Sequence, residues 1–275
     1  MSNALVNGVL VDQISIQDRG LQYGDGVFET LPVYKGKVLW FDQHYQRLQQ
    51  GCAALNMIAP EKEQLFTEIE QLISHQQPAV IKIIVTRGES ARGYNTDSKI
   101  SPTRIIVCSE WQNNSELKVK KGIQLKLCRT IVSRHPVLGS VKHLNRLENV
   151  LARQEWQDDE YDEGLMCDEF GNVVDGIMSN IFISKKGQLY TPVIKHSGVK
   201  GIMRNWILEQ NKSWDVAEID RLTVEMVEQA DEILMTNSLI GIWPVRKFNN
   251  IEYTVGPVFR KLYEKLKMEY PILNA

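Results

Sequence analysis

Two short runs of branched aliphatic residues, 79–87 (AVIKIIVTR) and 104–108 (RIIVC), most restrict what this chain can fold into. Both read as buried strands, and buried strands need other elements laid against them. The sequence around them supplies those elements. Phe41, Tyr45, Leu48, Cys52 and Leu55 recur at steps of three and four, which predicts a helix that Asp42 can cap. A second helix fits 61–74. Before them, 5–16 suggests short strands about an Asn7-Gly8 turn, and a glycine-punctuated stretch, 19–26, leads into a strand over 27–34. Lys35-Gly36-Lys37 then turns the chain into a strand over 38–41.

The polar segment 112–121 is the best linker in the sequence, so the expected organisation is an N-terminal domain over 1–111, a linker over 112–121 and a C-terminal domain over 122–275. The second half alternates evenly. A helix fits 144–156, with Leu144, Leu147, Val150 and Leu151 on one face. Strands fit 163–167, 172–174, 180–184 and 188–191, a helix runs from Gly201 to about Gln210, and a strand, 216–219, and a helix, 224–229, follow. A strand over 232–236, a hairpin made by 242–248 with 251–254, and an amphipathic helix over 256–270 end the chain. The expected fold class is α/β, in two domains with mixed sheets.

Composition excludes several functions. Of the 275 residues, 43% are hydrophobic and 24% charged, ordinary values for a globular protein. The net charge of −2 gives no basic field for nucleic acid or an anionic membrane, so an anionic substrate must be caught by local arginines. No run approaches a membrane span, and the start of the chain has no basic segment followed by a long apolar one, so the expected place of work is the cytoplasm. The four cysteines, Cys52, Cys108, Cys128 and Cys167, lie far apart with no nearby histidine spacing. They read as reduced thiols, and no metal site is expected.

The chemistry is concentrated at Ser140-Val141-Lys142-His143-Leu144-Asn145-Arg146-Leu147-Glu148-Asn149. Lys142 precedes the helix expected over 144–156. The positive end of that helix would disfavour its ammonium, and a free amine is what attack on an aldehyde requires. On position alone, an ordinary solvated lysine is an equally open reading. The same block resembles the cofactor-lysine motif of the 4-amino-4-deoxychorismate lyases, which belong to the branched-chain-aminotransferase-like (fold type IV) pyridoxal-phosphate enzymes. Five further blocks resemble the family in order: 18–28 (DRGLQYGDGVF), 44–48 (HYQRL), 171–182 (GNVVDGIMSNIF), 199–204 (VKGIMR) and 230–238 (ADEILMTNS).

The resemblance implies a two-domain enzyme, a smaller N-terminal and a larger C-terminal domain, with pyridoxal 5'-phosphate in the cleft. Lys142 would carry the cofactor and move protons. Asp175, one methylene shorter than the family's usual glutamate, would face the ring nitrogen. Arg47 would grip the phosphate, with Gly201 and Ile202 at a helix start and Thr236, Asn237 and Ser238 at a strand end adding donors. Arg92 and Tyr94, in a loop that also holds Arg87, and Tyr23 and Thr30 would meet the substrate. The implied reaction turns 4-amino-4-deoxychorismate into 4-aminobenzoate and pyruvate, a step towards folate, in a homodimer with its active site near the interface. Two rivals stay open: an aminotransferase of the same fold acting on branched-chain or D-amino acids, and a protein that binds the cofactor or a partner without turnover.

Overall fold

The computed structural model describes residues 3–73, 77–96, 100–111, 115–157, 160–210 and 214–270. The chain forms two compact units: Met1–Gln112 with Val141–Asn145, and Asn113–Ser140 with Arg146–Ala275.

The first unit contains β1 (Ala4–Val6), β2 (Val9–Leu10), α1 (Arg19–Tyr23), β3 (Gly26–Tyr34), β4 (Lys37–Val38), α2 (Phe41–Ala54), α3 (Lys62–Glu70), β5 (Ala79–Thr86) and β6 (Thr103–Glu110). The strands make an antiparallel sheet in the order β2-β1-β6-β5-β3-β4. Side chains alternate across a strand. Leu31 and Val33 of β3 and Ile81, Ile83 and Val85 of β5 therefore share one face, where they pack with Leu48, Cys52, Leu65 and Ile69 from the helices. The opposite positions, Phe28, Thr30, Val80, Lys82 and Ile84, remain half-buried or exposed.

Two local expectations change in this unit. Helix α2 is preceded by Trp40 in the left-handed region. Asp42 lies in the first turn instead of capping it, and its carboxylate pairs with Lys62 at 2.7 Å. The glycine-punctuated stretch contains α1, capped by Asp18, whose carboxylate accepts from the Gly20 N–H at 2.8 Å. Gly20 is read by sequence as a break, yet a side chain there would meet Thr86 Cγ2 at 2.2 Å, so close packing selects the glycine.

The second unit contains α4 (Ser115–Lys121), β7 (Ile123–Leu127), α5 (Leu147–Arg153), β8 (Glu163–Cys167), β9 (Val173–Gly176), β10 (Asn180–Lys185), β11 (Gln188–Pro192), α6 (Ile202–Glu209), β12 (Val216–Ile219), α7 (Val224–Glu228), β13 (Glu232–Asn237), β14 (Gly241–Phe248), β15 (Ile251–Glu252) and α8 (Pro257–Glu269). Its sheet runs β12-β11-β10-β13-β14-β7-β8-β9, with β15 on β14. The pairs β11–β12, β14–β7 and β7–β8 are parallel and the others antiparallel, so the sheet is mixed. Its core includes Leu125, Leu165, Ile181, Ile183, Leu222, Met235 and Val245.

The expected linker is not extended chain. Residues 112–114 lie outside the described residues, and 115–121 form α4, whose Lys118 pairs with Asp162 at 3.0 Å and sits 4.7 Å from the Trp243 ring. Residues 141–145, expected in the C-terminal domain, belong to the first unit. The helix expected over 144–156 is α5 alone. Among the described residues no helix is long and apolar enough to cross a membrane.

Candidate functional site

Lys142 is held by backbone. The Phe28 N–H donates to Lys142 O at 3.0 Å, the Leu144 N–H donates to Gly26 O at 3.0 Å, and Val27 and His143 form an antiparallel bridge. Residues 142–144 thus continue the sheet along the start of β3. Gly26 permits that approach, since a side chain there would strike Val85 O at 2.4 Å and Leu144 Cδ1 at 2.9 Å. The Lys142 ammonium lies 4.2 Å from the centre of the Phe28 ring. Because α5 begins only at Leu147, the helix-dipole argument for Lys142 does not apply: the dipole acts within the first turn.

Behind Phe28, on the helix-covered face of β3, lies a charged cluster that sequence reasoning missed. Glu29 accepts two bonds from Arg47, Nε to Oε1 at 2.8 Å and Nη2 to Oε2 at 2.6 Å, and lies 2.6 Å from His44 Nδ1. Glu29 and His44 are each 1% exposed. Burial would push the Glu29 carboxyl up, but the charge and hydrogen bonds of Arg47 and the bond from His44 outweigh it and hold it at about 2. Burial pushes His44 below its ordinary value, and the nearby charges of Arg47 and Lys142 add to that against the opposing pull of Glu29. Its Nε2 is buried with no hydrogen-bond partner among the described residues. The edge of Arg47 formed by Nε and Nη2 is committed to Glu29. The forked grip on phosphate expected from sequence could therefore not use that edge. The signal was present in the sequence, a lone glutamate between Val27 and Leu31 on a strand otherwise apolar on that face.

The predicted substrate residues of this unit divide. Tyr23 and Tyr94 come together with ring centres 5.5 Å apart, and Tyr23 Oη accepts from the Gly93 N–H at 3.2 Å. Arg19, itself buried, fixes the loop by donating to Gly93 O and Ser90 Oγ while its guanidinium lies 4.8 Å from the Tyr23 ring. Arg92 and Tyr94 are exposed, and Thr30 lies on the open face of β3. Arg87 is structural: it grips Asp25 through Nε (2.7 Å) and Nη2 (3.0 Å) and donates to Leu55 O and Asn56 O.

In the second unit, Asp175 lies buried on β9 and accepts from the Val199 N–H at 3.1 Å. The turn beyond it tolerates only glycine at two places. Gly198 has φ +82°, and a side chain at Gly201 would meet Asn180 Oδ1 at 2.0 Å. Asn180 ties the turn down by donating to Val199 O at 2.7 Å. Helix α6 starts at Ile202 with no side chain capping its first turn, which leaves backbone donors directed outward. Thr236 pairs with Asn180 across β13 and β10, is fully buried, and its hydroxyl has no partner among the described residues. Asn237 is otherwise engaged: it donates to Met178 O and accepts from the Leu239 and Ile240 N–H groups, so its side chain shapes the turn. Ser238 follows it, partly buried. Sequence reasoning also passed over Glu163. Its carboxylate, pushed upward by burial, accepts from the Gly164, Ile177 and Met178 N–H groups and from Ser179 Oγ, bracing the turn after Asp175.

Pyridoxal phosphate requires an amine for its carbonyl, an acid for its ring nitrogen and donors for its phosphate. The residues present fit it. Lys142 is the amine and Asp175 a buried carboxylate. The uncapped α6 and the orphaned Thr236 hydroxyl are donors lacking an acceptor.

Residues 26–248 match the model of the family described as amino-transferase class IV. The chain is 30% identical over 267 residues to an aminodeoxychorismate lyase of Vibrio harveyi, covering 95% of this chain and 98% of that protein. It is 33% identical over 278 residues to a Methanocaldococcus jannaschii protein with the provisional name of branched-chain-amino-acid aminotransferase, covering 95% and 94%. The solved structure of 4-amino-4-deoxychorismate lyase from Pseudomonas aeruginosa matches with a TM-score of 0.90 and 38% identity, over 97% of this chain and 98% of that one. With the family model matched over residues 26–248 and these relatives alike over nearly their whole length, the chain belongs to the class IV aminotransferase family.

Proposed function

We propose that this chain is a pyridoxal-phosphate-dependent lyase that converts 4-amino-4-deoxychorismate into 4-aminobenzoate and pyruvate, a step towards folate, and that it works as a cytoplasmic homodimer. The observation that carries the reading is the agreement with the Pseudomonas lyase in both sequence and backbone over nearly the whole chain.

When bound, the cofactor supplies a sink for the electron pair left by breaking the C4–H bond of the substrate. The chain's own residues do the rest. Lys142 Nζ bonds the cofactor and, once released, takes the C4 proton and carries a proton towards the departing enolpyruvyl group. Asp175 holds a proton at the ring nitrogen. The first-turn amides of α6, the Thr236 hydroxyl and Arg47 would hold the phosphate. Tyr23, Thr30, Arg92 and Tyr94 line the substrate's path. Loss of the enolpyruvyl group makes the ring aromatic, so the protein's main task is alignment of the C4–H bond.

The hydroxyl of Thr236 gives a test of the phosphate assignment. In Thr236→Val a buried donor without a partner is removed, so the cofactor-free protein should gain about 1 kcal/mol in stability. Affinity for pyridoxal phosphate, followed by fluorescence quenching, should fall roughly tenfold. Unchanged affinity would remove Thr236 from the phosphate site.

The dimer is supported by an apolar face of α5, where Leu147 is 75%, Val150 49% and Leu151 55% exposed, an arrangement that asks for cover. Sedimentation should give twice the 31.6 kDa chain mass.

The deciding experiment is product analysis with enzymatically prepared 4-amino-4-deoxychorismate and no added keto acid. Equimolar 4-aminobenzoate and pyruvate are expected. No product from a folded, yellow protein would move the reading to an aminotransferase, the activity for which the Methanocaldococcus protein is named. An amino-acid panel with 2-oxoglutarate would then follow.

A further inference from the structure

We propose that Lys82 is a specificity residue of this enzyme, binding the ring carboxylate of the substrate whose amine reacts at Lys142. The proposal rests on the lyase reading and adds to it a cation that none of the motif blocks contains.

Lys82 lies on β5 directly opposite Thr30 of β3, on the face of the sheet that the helices leave uncovered. Its neighbours on that face are apolar. Val80 and Ile84 flank it on its own strand, and Val107 stands opposite it on β6. Among the described residues no carboxylate pairs with it. Its ammonium lies instead 5.3 Å from the centre of the Phe28 ring. Lys142 lies 4.2 Å from the same centre, so the two nitrogens are at most about 10 Å apart. Beyond its contact with that ring, a lysine gains nothing by lying near a second cation, because like charges at that range repel. An anion between or beside them would turn the repulsion into attraction.

The substrate has the required shape. Its ring carboxylate is para to the reacting amine, about 6 Å from the nitrogen by ordinary covalent geometry. A hydrogen bond to an ammonium adds about 3 Å, a total that falls within the upper limit on the separation of the two lysines. The flat ring between amine and carboxylate would lie along the apolar face that Phe28 and Ile84 provide. The substrate's second carboxylate, on the enolpyruvyl arm, requires its own cation, and Arg92 stays available for it. An aminotransferase acting on small amino acids has no use for a cation this far from the reacting amine, so Lys82 bears on specificity.

The test uses the cofactor-loaded enzyme and chorismate, a dianion with a hydroxyl in place of the amine, which binds without reacting. Its dissociation constant is read by fluorescence quenching beside KM and kcat for 4-amino-4-deoxychorismate. In Lys82→Gln both the chorismate constant and KM should rise about tenfold, and added salt should narrow the gap. kcat should stay within about twofold, because the contact exists before and after the chemical step. Lys82→Arg should restore most of the binding. Unchanged chorismate binding in Lys82→Gln overturns the proposal. So does an equal loss in Lys82→Arg, or a wild-type protein that fails to bind chorismate. The lyase reading fails separately: a wild-type protein that yields no 4-aminobenzoate, yet binds chorismate in a Lys82-dependent way, keeps the carboxylate site and loses the reaction.

Discussion

Lys142→Ala should leave a folded protein with turnover reduced about 10⁴-fold or more, because one nitrogen both bonds the cofactor and moves the C4 proton. The fold should survive because the segment is pinned by its backbone: the bonds from Phe28 N–H to Lys142 O and from Leu144 N–H to Gly26 O do not involve the side chain. Thermal unfolding should therefore shift little. Borohydride reduction should fix pyridoxal phosphate to the wild-type chain at Lys142 and leave the variant unlabelled. The peptide map matters, because Lys82 is a second lysine over the Phe28 ring. Label at a single lysine in the Lys142→Ala protein would assign the cofactor elsewhere. Lys142→Arg separates charge from chemistry. It keeps a cation over Phe28, yet a guanidinium does not give up its proton to become a nucleophile, so it should be as inactive as alanine.

The strands were the most legible part of the chain. Those at 163–167 and 216–219 have the bounds their composition suggests, and β5 and β6 lie where branched residues cluster. Local sequence shows such segments because the alternation is set by the sheet itself. What was illegible depended on partners distant in sequence. The helix read over 144–156 starts only at Leu147, because backbone groups of Lys142 and Leu144 are taken by Phe28 and Gly26, more than a hundred residues away. The apolar stripe of α5 gave the right period, and its Leu147, Val150 and Leu151 are exposed. Residues 112–121 were polar enough to suggest a linker, and within them α4 carries a half-exposed Lys118 that pairs with Asp162 and lies 4.7 Å from the Trp243 ring. In the candidate site, Lys142, Asp175, Thr236 and the 198–202 turn were visible through motif resemblance. His44 lies inside one of those motifs and Glu29 directly follows another, but neither carried an assigned role, because only the packing of α2 on β3 brings a strand carboxylate against a helix His and Arg.

That cluster gives the largest expected effect on stability. Glu29→Gln keeps the shape of the side chain and removes its charge. Arg47 then loses the carboxylate charge that faces it at 2.6 Å, and His44 loses the same partner. Breaking a buried pair by deleting one partner costs about 3 kcal/mol or more, the desolvation of the cation left behind. The pH dependence identifies the source. Glu29 titrates at about 2 in the folded chain, against an ordinary 4.5. A depressed value means that the unfolded chain binds the proton first, so its contribution is fully present above pH 4.5 and is lost as pH falls towards 2. The lowered value of His44 acts with the same sign from 6.5 downward, and losing the Glu29 charge, which pulls it up, lowers it further in the variant. Urea unfolding from pH 7 to 2.5 should therefore show wild type and variant well separated at neutral pH and converging only below about 4.5, by about 3 kcal/mol in all. Parallel curves across that range would mean that the Glu29 charge does not stabilise the fold. The variant should also bind pyridoxal phosphate more weakly when assayed at pH 7. With Glu29 neutral, the two charge-assisted bonds that hold the Arg47 guanidinium weaken, and a guanidinium held less firmly gives up more entropy on meeting a phosphate. Arg47→Lys, which keeps the charge but loses the paired contact, should reproduce the weaker cofactor binding with a smaller loss of stability. Equal losses of stability in the two variants would assign the effect to packing of α2 on β3 and not to the charge of Glu29.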